Sequence, residues 1–204
     1  MGGLAAAAAR RPHCVRRLEQ PAPLRRDRAA GQLAREGLNI KVLLAGNDFT
    51  GGIKAKELQE LAQREGIAGR YHYIGPRSDV PDVLRTLDIL VLPSERDKEA
   101  FPRIVVEAMG CGVTVLATAV AGVPEAVVNG ETGLLVDPDD YDAFVAALRT
   151  LVLDADLRGR YGAAAVARCR ALFSMEANAA AISQVYRSVT AERSAQQSEL
   201  SSFA

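Results

Sequence analysis

Between residues 39 and 138, short apolar runs alternate with stretches of helical periodicity, and this alternation limits the folds open to the chain more than any other feature. The run ILVL (89–92) within DILVLPS (88–94) is apolar at every position rather than at every second one. A strand of that kind is buried on both faces, as in a parallel sheet covered by helices on each side. NIKVLLAG (39–46), RYHYIG (70–75), VTVLAT (113–118) and TGLLVDP (132–138) read as further strands. The segment IKAKELQELAQREG (53–66) puts Ile53, Leu58, Leu61 and Ala62 largely on one helical face, and Gly66 is placed to stop that helix. Short helices are expected over 79–87, from Pro102 to about Gly110, and near PEAVVN (124–129). Longer ones are expected over 140–153, 155–172 and 174–195. The pattern predicts an α/β fold, a Rossmann-like doubly wound parallel sheet.

A chain of 204 residues suits one well-buried domain. Twenty-five basic residues balance twenty-five acidic ones, so charge gives no reason to expect nucleic acid or an anionic membrane as partner. Three widely spaced cysteines, Cys14, Cys111 and Cys169, form neither a disulfide framework nor a zinc site, and point to a reducing, cytoplasmic setting. No apolar run approaches the length of a transmembrane helix.

Residues 1–36 stand apart, with eight arginines against three acids, a five-alanine run, three prolines and no serine. A transit peptide would be serine-rich and free of such breaks. The segment is therefore expected to be a disordered or atypical leader, followed by one domain over 37–190 and a flexible tail over 191–204.

Ligands of a doubly wound sheet bind beyond the carboxyl ends of the strands. The loop GNDFTGGIK (46–54) follows a strand and opens a helix, but the Lys-Ser/Thr pair of a P-loop is missing after its glycines. No GxGxxG follows the first strand, which removes the main support for a nicotinamide dehydrogenase. In EAFPRIVVE (99–107), Glu99 precedes a helix that Pro102 can start, and Glu107 falls in its second turn. Amides near Phe101, Pro102 and Arg103 favour an anion, although proline contributes no donor, while carboxylates accept hydrogen bonds from hydroxyls. That combination suits a phosphorylated sugar or a nucleotide sugar. Equally, Glu99 can simply complement the helix dipole and Glu107 can be a solvated helix residue. A glycosidase acid pair is also open from two carboxylates alone. His72, inside a strand, reads as a packed residue rather than a base.

The ordered set LPS, EAF, VVEAMGCGVTVLAT, AGVPEAVVNGETGLLVDPDD and FSMEANAAAISQVY closely resembles the carboxyl-terminal domain of glycosyltransferase family 4, the retaining enzymes of the GT-B fold, over roughly residues 37–190. The resemblance implies a domain that binds a nucleoside-diphosphate sugar and takes part in moving a hexose to an acceptor with retention. It implies that Glu99 faces the donor sugar as the catalytic residue and that Glu107 accepts from the ribose hydroxyls. Ala100, Phe101, Pro102 and Arg103 would line the sugar and phosphates, with Ser94 on the phosphate side and Gly75, Pro76 and Arg77 beside the base. Pro102 stands where the family usually has glycine. Neither a metal nor a cofactor is implied, since the family relies on basic side chains and helix amides. In the family an amino-terminal domain supplies most of the acceptor site, and a GR pair with a later lysine neutralises the diphosphate. Residues 1–36 lack that pattern, so none of Arg10, Arg11, Arg16, Arg17, Arg25, Arg26 or Arg28 is assigned the role. Two alternatives stay open: a subunit of a split glycosyltransferase that recruits a separate amino-terminal domain, and a non-catalytic nucleotide-sugar-binding or interaction module. The apolar face of the last helix, with Ile182, Val185 and Tyr186, lacks the cover that the other domain gives it in the family, and the helix is expected either to fold onto its own domain or to promote self-association.

Overall fold

The computed structural model describes residues 13–16, 23–48, 50–96 and 100–202. Six strands form one sheet: β1 (His13–Arg16), β2 (Lys41–Leu44), β3 (Tyr71–Tyr73), β4 (Ile89–Leu92), β5 (Thr114–Thr118) and β6 (Gly133–Val136). Their order is β3-β2-β1-β4-β5-β6, and every pairing is parallel. The helices between and after them are α1 (Pro23–Arg35), α2 (Ile53–Arg64), α3 (Val80–Arg85), α4 (Arg103–Gly110), α5 (Val123–Ala126), α6 (Tyr141–Leu153), α7 (Ala155–Phe173) and α8 (Met175–Ser202). This is the doubly wound Rossmann-like arrangement that the strand–helix alternation predicts.

Burial follows from the residue pattern. All four residues of β4 and all five of β5 are buried, because helices cover both faces. On one face α1 packs beside α2 and α6, and on the other α4 packs beside α3 and α5. Ala29, Ala30 and Leu33 of α1 meet Phe144, Leu148 and Leu151 of α6 over Val42, Val91 and Leu116 of the sheet. Each large side chain buried this completely contributes about 1.5–3 kcal/mol. Helix α2 ends as expected: Glu65 caps it, and Gly66 follows at φ +76, a left-handed conformation that glycine takes without penalty.

Two boundaries differ from the sequence reading. The expected leader over 1–36 contains β1 and α1, so the domain does not begin at residue 37. Strand β1 lies at the middle of the sheet, pairing His13 to Arg16 with Lys41 to Leu44 on one side and Cys14 and Val15 with Ile89 and Leu90 on the other. The strand HCVR is short and flanked by arginines, and α1 buries a charged pair, so neither shows a plain apolar period. Within α1, Arg26 and Asp27 are fully buried and joined Nε to Oδ1 at 2.7 Å. Tyr71 of β3 completes the cluster, accepting from Arg26 and donating to Asp27, both at 3.3 Å. Burial pushes the Tyr71 phenol well above its ordinary pKa, so it stays a neutral donor.

The expected flexible tail over 191–204 is the other difference, because α8 continues to Ser202. The stretch TAERSAQQSEL (190–200) has no glycine or proline to stop it and is rich in helix formers. Contacts divide the chain at residue 166, with the sheet and its covering helices in the first unit and residues 167–204 in the second. Within the second unit, Ile182, Val185, Tyr186 and Val189 recur at the spacing of one helical stripe and are exposed, Tyr186 by 70 %. Among the described residues no helix is long and apolar enough to cross a membrane.

Candidate functional site

In a parallel sheet of this order the chain reverses its direction of growth between β1 and β4. The crevice at the carboxyl ends of those two strands is the place where ligands of such folds bind. Strand β1 ends there at Arg16 and β4 at Leu92. The segment between β4 and α4, which contains the sequence singled out above, therefore opens at this point.

That segment is tied down at several points. Ser94 is buried behind β4, and its carbonyl accepts the Thr118 hydroxyl of β5 at 2.6 Å. Arg96 is exposed and held by the two aspartates after β6, with Nη2 3.2 Å from Asp137 Oδ1 and 2.9 Å from Asp139 Oδ2. The Asp139 hydrogen bond and charge hold the Arg96 guanidinium above its ordinary pKa. Glu99 lies outside the described residues. Beyond it, the carbonyl of Ala100 accepts the Gly122 N–H at 2.9 Å, and Phe101 is partly exposed. Pro102 is buried and stands just ahead of α4 at φ −77 and ψ 95, with no side chain capping the helix. The first-turn amides of α4 face the carboxyl edge of the sheet, where an anion is favoured.

Helix α4 buries Val105, Ala108 and Met109 against the sheet, so its opposite face carries Arg103 and Glu107, both exposed. Among the described residues no hydrogen bond or ion pair engages the Glu107 side chain, which leaves its carboxylate available to hydroxyl donors.

Gly75, Pro76 and Arg77 follow β3 at the far side of the same edge. Gly75 takes φ +68, and its carbonyl accepts the Gly46 N–H at 2.9 Å, which joins the loop after β3 to the loop after β2. The Tyr73 hydroxyl donates to the Gly46 carbonyl at 2.9 Å and fixes the same pair of loops. Arg77 folds onto Asp79 through two hydrogen bonds of 2.7 and 2.5 Å, which lower the Asp79 pKa and raise that of Arg77. Three strand spacings separate β3 from β4, roughly 14 Å at the usual spacing between neighbours. An elongated ligand lying across the ends of β2 and β1 could reach both groups of residues.

The other loops are less open to anions. In GNDFTGGIK the Asp48 carboxylate accepts from the Thr50 amide at 3.0 Å, from the Thr50 hydroxyl, and from the Ala55 amide at 2.8 Å. A carboxylate of the chain itself thus occupies the start of α2, where a P-loop would hold phosphate. His72, expected to be packed, is exposed on the edge strand β3, where the pleat turns it away from covering helices. Arg26 is committed to Asp27 in the core and is not a site residue. Among the described residues no group of three or more His, Cys, Asp and Glu is placed to hold a metal ion. Sequence reasoning missed Thr118 and the contact made by Gly122. Both act through backbone groups of residues far away in the chain, a relation that no local motif records.

A doubly wound parallel sheet with an open loop at its switch point belongs to the class of folds that bind their ligands at the carboxyl edge. The family model for Glycosyl transferases group 1 matches residues 28–168, and the chain belongs to that family. A D-inositol 3-phosphate glycosyltransferase of Corynebacterium jeikeium is 38 % identical over 147 residues, 71 % of this chain and 34 % of that protein. The chain spans about a third of the length of such curated relatives. Among solved structures, sucrose-phosphate synthase of Thermosynechococcus elongatus superposes with a TM-score of 0.78 at 28 % identity, covering 90 % of this chain and 47 % of that one. Anabaena HepE in complex with UDP-glucose gives 0.70 at 23 %, covering 87 % and 49 %. The fold is therefore that of GT-B glycosyltransferases.

Proposed function

We propose that this chain is the donor-binding, carboxyl-terminal half of a retaining glycosyltransferase of family 4, which moves a hexose from a nucleoside-diphosphate sugar to an acceptor. The observation that carries the reading is the location of Ala100 to Glu107, which lead from the loop after β4 into helix α4 at the topological switch point. In this reading the base lies near Gly75, Pro76 and Arg77, and the ribose hydroxyls donate to Glu107. The phosphates meet the first turn of α4, with Ser94 behind them. The hexose lies beside Glu99, Ala100 and Phe101, with Glu99 the catalytic carboxylate. The relatives named as glycosyltransferases support the transfer, and the neighbour that holds UDP-glucose supports the donor class.

Departure of the diphosphate concentrates negative charge, which must be met by fixed positive groups or amide dipoles. The α4 amides offer the second kind. Arg103, which opens α4 and is exposed, is a positive group at the same edge. The acceptor would be recognised mainly by a separate amino-terminal domain of the GT-B type. Neither a metal nor an organic cofactor is part of the proposal.

The test is calorimetric titration of the chain with UDP, GDP, ADP and their glucose conjugates, repeated with Glu107→Ala. Hydrogen bonds to a charged group contribute roughly 1.5–3 kcal/mol, so the substitution should weaken the bound nucleotide by about tenfold or more. Unchanged affinity in a folded variant would remove Glu107 from the site. An absence of binding for all six compounds would contradict the donor reading for this chain.

A further inference from the structure

The turn after β5 holds a combination that its local conformation does not require. The Val123 N–H bonds back to the Val120 carbonyl at 3.1 Å, closing a four-residue turn around Ala121 and Gly122. Ala121 takes φ +45, while Gly122 takes φ −77 and ψ 2. A tight turn with positive φ at its first central residue favours glycine there, because a Cβ is strained in that region. Here the glycine stands instead at the second central position, in a conformation open to any residue.

The reason for Gly122 lies across the crevice edge. A Cβ added at Gly122 would come 2.9 Å from the Ala100 carbonyl oxygen, 3.0 Å from Phe101 Cδ2 and 3.3 Å from Phe101 Cα. The Gly122 N–H donates to that same Ala100 carbonyl at 2.9 Å. Gly122 is buried, and Val123 and Ala126 beside it are anchored in the core. One residue therefore touches the Ala100–Phe101 backbone directly and hydrogen-bonds it, from a rigid base, immediately after Glu99 in the chain.

We infer that Gly122, held by the strained turn at Ala121, is a positioning residue that sets where the Ala100–Phe101 backbone stands ahead of α4. This rests on the proposed donor site at the switch point, and it names what fixes that site's geometry. The glycine allows the close approach, the N–H fixes its direction, and the positive φ of Ala121 aims the N–H at Ala100. A turn that served β5 and α5 alone would have no need of glycine at position 122. With a methyl group there, Ala100 and Phe101 must retreat while the sheet behind them stays in place.

The experiment compares the chain with Gly122→Ala by amide hydrogen exchange without ligand, by thermal unfolding, and by calorimetry with the nucleotide sugar that the chain binds. The amides of Ala100, Phe101, Arg103 and Ile104 should exchange about tenfold or more faster in the variant, while those of Val91 and Val115 keep their rates. The unfolding midpoint should fall by no more than about 3 °C, with affinity reduced about tenfold. Loosening spread evenly over the sheet, or a variant that does not fold, would give Gly122 a purely structural role and overturn the inference. A second readout needs no variant: in the unaltered chain the Gly122 amide should exchange about tenfold or more slowly than that of the exposed Ala121, and equal rates would also overturn it. Should the unaltered chain bind no nucleotide sugar, the donor reading fails, and the exchange measurements still decide whether Gly122 positions the loop.

Discussion

The Thr118 hydroxyl, at the end of β5, donates to the carbonyl of Ser94 at 2.6 Å, binding the last residue of one buried strand to the first turn beyond its neighbour. The Leu92 carbonyl lies farther from the same hydroxyl, at 3.5 Å, so the Ser94 bond is the one that holds. Both partners are buried. Thr118→Val keeps the shape and removes the hydroxyl that donates to this buried carbonyl. A loss of about 1–3 kcal/mol is expected by chemical denaturation. A loss below about 0.5 kcal/mol would mean that the Ser94 carbonyl finds another donor.

The buried pair of Arg26 and Asp27 makes an asymmetric prediction. Removing one member leaves a charge in the core, so Asp27→Ala should cost about 3–5 kcal/mol. Replacing both, as Arg26→Met with Asp27→Leu, removes the desolvation penalty together with the attraction. Much of the stability should return in the double variant. Denaturant midpoints of the two variants decide the matter, and a double variant as unstable as the single one would show that the pair has a further role.

Arg77 and Asp79 carry a prediction about pH. The Arg77 hydrogen bonds hold the Asp79 carboxyl below its ordinary value of 3.8, so the folded state binds this proton less readily than the unfolded chain. The pair therefore contributes above the ordinary aspartate range, and the contribution is lost as pH falls through the lowered folded value. Carboxyl titration followed by NMR should show Asp79 ionised and the Gly75–Arg77 loop unchanged from neutral pH down to the ordinary aspartate range. A midpoint at or above the ordinary value would show that Arg77 leaves Asp79 in solution.

The stripe on α8 should be thermodynamically silent within this chain. Ile182, Val185 and Tyr186 are each more than half exposed, so Val185→Lys removes little buried area. Unfolding free energy should change by no more than about 0.5 kcal/mol. A loss of 2 kcal/mol or so, measured by denaturation, would mean that these side chains are buried in solution.

Much of this architecture is legible in the sequence because β4 and β5 announce burial on both faces, and because Gly66 and Pro102 mark helix ends by local chemistry. Of the candidate site, the segment leading into α4 is legible, since AFPRIVVE is a contiguous stretch and its position after a strand puts the start of the helix at the carboxyl edge. Strand β1 was hidden because four residues flanked by arginines show no period, and α1 because Arg26 and Asp27 occupy core positions that normally read as apolar. The roles of Thr118 and of the Gly122 contact with Ala100 are hidden for another reason. Each works through a backbone carbonyl more than twenty residues earlier, at Ser94 and Ala100, and only the parallel order of the sheet brings those groups together.

The central claim is that a nucleotide sugar binds at the switch point with its base toward β3 and its sugar toward α4. Mapping amide chemical shifts of the isotopically labelled chain during titration with UDP-glucose, then GDP-glucose and ADP-glucose, tests it most directly. Saturable shifts are expected for one of them at Gly75 and Arg77 and at the non-proline residues of 94–107, with Val113 and the other amides at the amino ends of the strands unmoved. Shifts confined to the amino-terminal edge, or to α8, or absent for all three, would contradict it.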